Sequence, residues 1–91
     1  MPKQVNGHTI GPGAYLRGAD LRAADLKEAH LGEAFLHAAD MRDAELGWSF
    51  FRGAELQGAD LTAADMRFAS FRDANLAKAT LVRAKLLGAK M

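Results

Sequence analysis

The chain has 91 residues, with 12 Lys and Arg against 11 Asp and Glu, no Cys, 49% hydrophobic residues and 8% aromatic residues. This size permits one small domain without disulfides, so a regular packing scheme has to compensate for the small core. The net charge of +1 argues against a strongly basic nucleic-acid binder and against a strongly acidic mimic of nucleic acid. The sequence has no run of 18 apolar residues and no apolar signal-peptide core. We therefore expect no membrane binding and a cytoplasmic location, or carriage in a larger particle.

Residues 1–13 form the first segment, which does not share the pattern of the rest of the chain. It contains Pro2, Pro12 and three glycines, residues that favour turns. We interpret this segment as an N-terminal lead-in or cap. Val5 and Ile10 are the apolar residues available to cover the element that follows it.

Residues 14–91 follow a repeat of five. Each fifth residue from 16 to 91 is large and apolar, and Ala precedes it by two positions in fifteen of the sixteen units. A helix turns by about 140° over five residues and would spread this column over all its faces, whereas an odd step in a flat strand alternates faces. The pattern therefore predicts a coil that bends once in every five residues. An Ala-rich helix is the alternative, because Ala and Leu favour helices, but the five-residue phase never slips.

Several units resemble those of the pentapeptide-repeat family. Examples are Ala-Asp-Leu-Arg-Ala at 19–23, Ala-Asp-Leu-Lys-Glu at 24–28 and Ala-Asn-Leu-Ala-Lys at 74–78, and the resemblance covers residues 14–91. It implies an all-β fold, a right-handed quadrilateral β-helix with four units per coil and about four coils in this chain. The large apolar residue and the preceding Ala would point inward, and the other three residues of each unit would point outward.

Two neighbouring walls of such a coil would carry ladders of acidic side chains, because residues twenty apart lie one above the other. Asp20, Asp40 and Asp60 form one ladder, and Asp25, Glu45 and Asp65 form the next. Four of these acids have Arg or Lys two positions later on the same wall. This pairing favours a solvated, charge-compensated surface over a functional acidic stripe.

The Ala column is interrupted once, at Ser49, where aromatic residues cluster. Trp48 should point outward, with Phe68 one coil further along and Phe50 just around the corner. Three exposed aromatic side chains close together are typical of a surface that binds a partner. A local stack that joins two coils is an equally good interpretation.

The last coil combines positive charge with apolar residues. Residues 77–91 contain four cations and no acid. Val82 and Leu87 occupy outward positions, and Leu81, Leu86 and Met91 occupy inward ones. Because the sequence offers no segment that would cover this coil, we expect it to bind a protein partner or a second copy of the chain.

The sequence contains no constellation that points to a reaction. His30 and His37 lie on different walls without the spacing of metal ligands, and the hydroxyl residues lack a neighbouring His and acid. We therefore expect no catalytic residues, no cofactor and no metal. The glycines do not form a phosphate-binding loop.

The expected function is that of a non-enzymatic binding or structural module. A rigid β-helical rod would dock into a larger assembly through its C-terminal coil, with the aromatic cluster as a second candidate interface. That assembly is a homo-oligomer, a host complex or a virus particle, and the sequence does not choose among them. The resemblance also implies an alternative, because some family members mimic DNA and modulate bacterial DNA gyrase. The net charge of +1 and the lack of an evident C-terminal dimerisation helix argue against this role.

Overall fold

A β-hairpin precedes a four-sided coil in the computed structural model, which describes residues 3–91. The hairpin pairs β1 (Lys3–Val5) with β2 (His8–Ile10) in antiparallel register, with Lys3 opposite Ile10. Asn6 and Gly7 connect the strands with φ angles of 50° and 80°. Positive φ at both central residues is the signature of a type I′ turn, which suits the twist of a two-residue hairpin.

The rest of the chain winds into stacked coils of twenty residues each. Parallel backbone pairing joins residues twenty apart, from Tyr15 with Phe35 to Ser70 with Lys90. Each corner is a turn closed by a hydrogen bond, such as that from the Ala59 amide to the Leu56 carbonyl at 3.0 Å. The third residue of each turn has φ between 55° and 72°, as in a type II turn. The right-handed quadrilateral β-helix implied by the family resemblance is confirmed.

Each five-residue unit places two side chains inside and three outside. In the unit 59–63, Ala59 is the small inward residue and Leu61 the central inward one, while Asp60, Thr62 and Ala63 occupy the first, second and third outward positions. The central residues from Leu16 to Phe71 are all almost fully buried. Narrow coils leave room for one bulky side chain per wall, so the small Ala alternates with the large residue.

Ser49, which replaces Ala in one unit, is accommodated in the core without an unsatisfied hydroxyl. It is buried, and its hydroxyl donates to the Leu46 carbonyl at 2.6 Å. Beside it, Phe51 and Phe71 stack inside the coil with their ring centroids 4.7 Å apart. The interruption of the Ala column therefore coincides with the part of the core that contains the largest side chains.

The hairpin lies across the first coil. Ile10 is 5% exposed, and Val5 packs against the core cluster. The Asn6 side-chain amide donates to the backbone carbonyl of Asp20 at 2.9 Å. These contacts cover apolar side chains of the first coil and give the Asp20 carbonyl, which has no preceding coil to pair with, a hydrogen-bond donor. The predicted lead-in or cap spans residues 1–13, of which residues 1 and 2 lie outside the described part of the chain.

The residue at the first outward position accepts a hydrogen bond from a backbone amide that has no backbone acceptor. In the unit 59–63, the amides of Ala59, Asp60, Leu61 and Ala63 all donate to backbone carbonyls at 2.8 to 3.0 Å. The remaining amide, that of Thr62, donates to the Asp60 carboxylate at 3.0 Å. The same side-chain cap occurs in five other units, at Asp20, Asp25, Asp40, Asp65 and Asn75. Asp and Asn therefore cap the one amide that the coil leaves unpaired.

Replacing Asp60 tests this capping role. Asp60→Ala should lower the free energy of unfolding by about 1 kcal/mol, because the Thr62 amide and hydroxyl both lose their acceptor. Asp60→Asn keeps the acceptor oxygen and should retain most of the stability, as Asn75 does naturally. Urea unfolding followed by far-ultraviolet circular dichroism measures the difference. Equal destabilisation by Asn and Ala would show that charge, not capping, accounts for the residue.

Candidate functional site

The first acidic ladder is ion-paired with two arginines of its own wall. Asp20 pairs with Arg22 at 2.8 Å, and Asp40 pairs with Arg42 at 2.6 Å. Each arginine also reaches the acid of the next coil, with Arg22 at 3.8 Å from Asp40 and Arg42 at 3.9 Å from Asp60. The ladder is therefore a chain of ion pairs that runs along the coil axis.

The second acidic ladder is paired in the same way. Lys27 lies 3.3 Å from Glu45 and 3.6 Å from Asp25, so it bridges two coils. Arg67 pairs with Asp65 at 2.6 Å. Each of the six acids of the two ladders has a cation within 4 Å.

Two of these carboxylates have strongly lowered pKa values. The side-chain hydrogen bond from Arg22 lowers the pKa of Asp20 to about 2, and that from Arg67 lowers the pKa of Asp65 to about 2. Because the pKa is depressed in the folded state, the stabilisation is complete above about pH 4 and is lost as the pH falls towards 2. The Asp20 pair is solvent-exposed and the Asp65 carboxylate is half-buried, but both guanidinium groups are exposed, so this contribution is small and sensitive to salt.

Removing the Arg67 guanidinium tests the origin of the Asp65 shift. Arg67→Gln should raise the pKa of Asp65 from about 2 towards its usual 3.8, because the charged hydrogen-bond donor is lost. Arg72→Gln, on another wall, is the matched control and should leave that pKa unchanged. Carboxyl titration by nuclear magnetic resonance measures the shift. The titration runs from about pH 1.5 to 6, roughly two units on either side of a normal Asp pKa. An unchanged Asp65 pKa in Arg67→Gln would contradict the assignment.

The aromatic residues form ladders rather than a single cluster. Trp48 and Phe68 stack with their centroids 4.6 Å apart and their planes 12° from parallel. Phe50 stacks instead on His30, at 4.8 Å. All three residues selected from the sequence are exposed, with Trp48 at 60%, Phe50 at 47% and Phe68 at 42%. The role of His30 was not recognised from the sequence, although its position twenty residues before Phe50 is the signal that would have revealed it.

Gly88 continues the Trp48 and Phe68 ladder into the last coil. A Cβ atom at this position would clash with the Phe68 ring, and the φ angle of Gly88 is +72°. The Phe68 ring therefore packs directly on the backbone of Gly88. Phe68 is consequently supported from both sides along its ladder, by the indole ring and by the bare backbone.

The last coil has the exposed apolar residues that the sequence indicated. Val82 is 53% exposed, Leu86 41%, Leu87 71% and Met91 58%, while Leu81 is half-buried. Its cations are Lys78, Arg83, Lys85 and Lys90, and none of them makes an ion pair with any of residues 3–91. This coil therefore differs from the earlier ones in both its charge and its hydrophobicity.

The described residues show neither a metal cluster nor a helix suited to a membrane. Within residues 3–91, no three His, Asp or Glu side chains come together in a way that could hold a metal ion. The same part of the chain contains no helix long and apolar enough to cross a membrane. The two histidines considered from the sequence lie apart, with His30 against Phe50 and His37 near Phe35 at 6.3 Å between ring centroids.

Comparisons with known proteins agree with this architecture. A family model described as pentapeptide repeats matches residues 19–58 and 54–91, with eight copies. A pentapeptide repeat protein from the thylakoid lumen of Arabidopsis thaliana is 37% identical over 88% of this chain and 52% of its own, with a TM-score of 0.64. A pentapeptide repeat protein from the cyanobacterium Cyanothece is 29% identical over 85% of this chain and 56% of its own, with a TM-score of 0.53. The chain thus spans about half the length of each of these structures. No curated protein matches it.

Proposed function

Because the chain belongs to the pentapeptide repeat family, we propose that it is a non-enzymatic interaction module that docks through its C-terminal coil onto a protein partner or a second copy of itself. The family fold is a structural β-helix, and this chain adds to it one coil with a distinct surface. That surface, the C-terminal coil surface, comprises Val82, Leu87 and the four cations around them.

The second outward position supports this proposal most strongly. In every unit before residue 77 it holds a polar residue or Gly, whereas in the last coil it holds Ala77, Val82 and Leu87 on three successive walls. Exposed apolar side chains at consecutive corners cost solvation free energy that burial against a partner would recover. Two of them, Val82 and Leu87, are more than half exposed.

Charge favours the same surface. Lys78, Arg83, Lys85 and Lys90 surround it without any acid in residues 77–91, so a partner with carboxylates would meet an attractive potential.

A second copy and an acidic partner differ in what opposes binding. Two copies bring like charges together, so apolar burial of side chains such as Leu87 would have to outweigh that repulsion. A symmetric dimer is nevertheless the commonest soluble oligomer.

DNA mimicry towards gyrase, the alternative suggested by the family resemblance, has less support. It requires a field of one sign, whereas both acidic ladders are ion-paired within their own walls.

Leu87→Glu tests the proposal, because it places a charge at the most exposed apolar residue of the C-terminal coil surface. We expect the intact chain either to self-associate, as measured by multi-angle light scattering at several concentrations, or to bind the complex from which it is isolated. Leu87→Glu should weaken that association at least tenfold. Arg17→Glu, at the same unit position in the first coil, is the control and should associate normally. If Leu87→Glu matches the intact chain in both measurements, this coil is not an interface.

A further inference from the structure

The indole ring of Trp48 has one covered face and one open face. Phe68, in the following coil, stacks on one side at 4.6 Å between centroids. On the other side, twenty residues earlier in the same ladder, lies Glu28, which has no ring to continue the stack. With Trp48 still 60% exposed, the face towards Glu28 is accessible to a ligand.

A cleft of about 500 Å³ occupies the space in front of that open face. Its lining is formed by Glu28, His30, Trp48 and Phe50. His30 and Phe50 stack on each other at 4.8 Å and contribute the part of the lining that comes from the neighbouring wall. This indole cleft therefore offers three aromatic rings and one carboxylate, a combination suited to an organic cation.

The Glu28 carboxylate is available for such a cation. Among residues 3–91 it makes neither an ion pair nor a side-chain hydrogen bond. The adjacent Lys27 pairs with Glu45 at 3.3 Å and with Asp25 at 3.6 Å. Over its first three coils this wall carries four acids against two bases, and Lys3 of the hairpin lies beside Glu28, so the acids still outnumber the bases around the cleft.

We infer that the indole cleft binds the guanidinium group of an arginine side chain presented by a protein partner. A guanidinium is flat, so it can continue the Phe68 and Trp48 stack by lying on the open indole face. In that position it occupies the level of Glu28, one coil away, and its N–H groups can donate to the carboxylate in a forked arrangement. A lysine ammonium satisfies the charge but has no plane to stack. This site lies apart from the C-terminal coil surface, and its test is independent of docking there.

The intrinsic fluorescence of the chain provides a direct readout, because Trp48 is its only tryptophan. N-acetyl-arginine amide should change that fluorescence in a saturable manner. N-acetyl-lysine amide should bind several-fold more weakly. N-acetyl-citrulline amide, which has nearly the same shape without the charge, should bind at least about tenfold more weakly. Equal responses to arginine and citrulline, or no response to arginine, would overturn the inference.

Variants of the intact chain assign the binding to named groups. Glu28→Gln should raise the dissociation constant for N-acetyl-arginine amide about fivefold or more, because it removes the charge and half of the forked acceptor. Glu33→Gln, a glutamate at the same third outward position of the next unit, should leave it unchanged. Amide spectra by nuclear magnetic resonance would establish that both variants are folded. An unchanged affinity in Glu28→Gln would contradict the proposed carboxylate contact. Unchanged arginine binding in Leu87→Glu would show that the two surfaces act separately.

Discussion

Backbone pairing between residues twenty apart is the constraint on which the rest of this structure depends. It places the same unit position of each coil in line with that of the next, and so forces inward residues to stack on inward residues at about 4.8 Å. Such an interior has a fixed and narrow cross-section, which excludes two large side chains from one corner. The alternation of Ala with Leu, Met or Phe follows from this limit, and any phase slip would expose a large apolar residue.

The same pairing converts the outer surface into ladders, and each ladder then has its own chemistry. Acids at the first outward position cap the amide two residues later and bind Arg or Lys of the same wall, as Asp40 does with Arg42. Rings at equivalent positions stack without any further adjustment, as Trp48 and Phe68 do. Eleven non-glycine residues of the coils hold positive φ, and each costs roughly 1 kcal/mol or more relative to glycine. Cooperative pairing of the coils offsets this strain.

The sequence alone was sufficient to predict the features that follow from the five-residue repeat. The buried column from Leu16 to Phe71 and the ion pairs such as Asp20 with Arg22 follow from side-chain size and spacing. The hairpin was not predicted, although Asn6 and Gly7 between short β-favouring segments carry its turn signal. The indole cleft was not predicted, because the sequence alone does not show that Trp48 stacks on Phe68 and Phe50 on His30, and these stacks decide that Glu28 and His30 line the cleft. Capping by Asp60 requires knowledge of which amide the coil leaves unpaired.

Amide hydrogen exchange by nuclear magnetic resonance tests the central claim most directly, because the pairing scheme predicts a different protection for each unit position. In the two middle coils, the amides of four positions in each unit should exchange slowly. The amide at the second outward position should be the fastest, most of all where no Asp or Asn caps it, as at Arg52. A five-residue rhythm of protection with this phase supports the account. Uniform protection, or a helical rhythm of three to four residues, would contradict it.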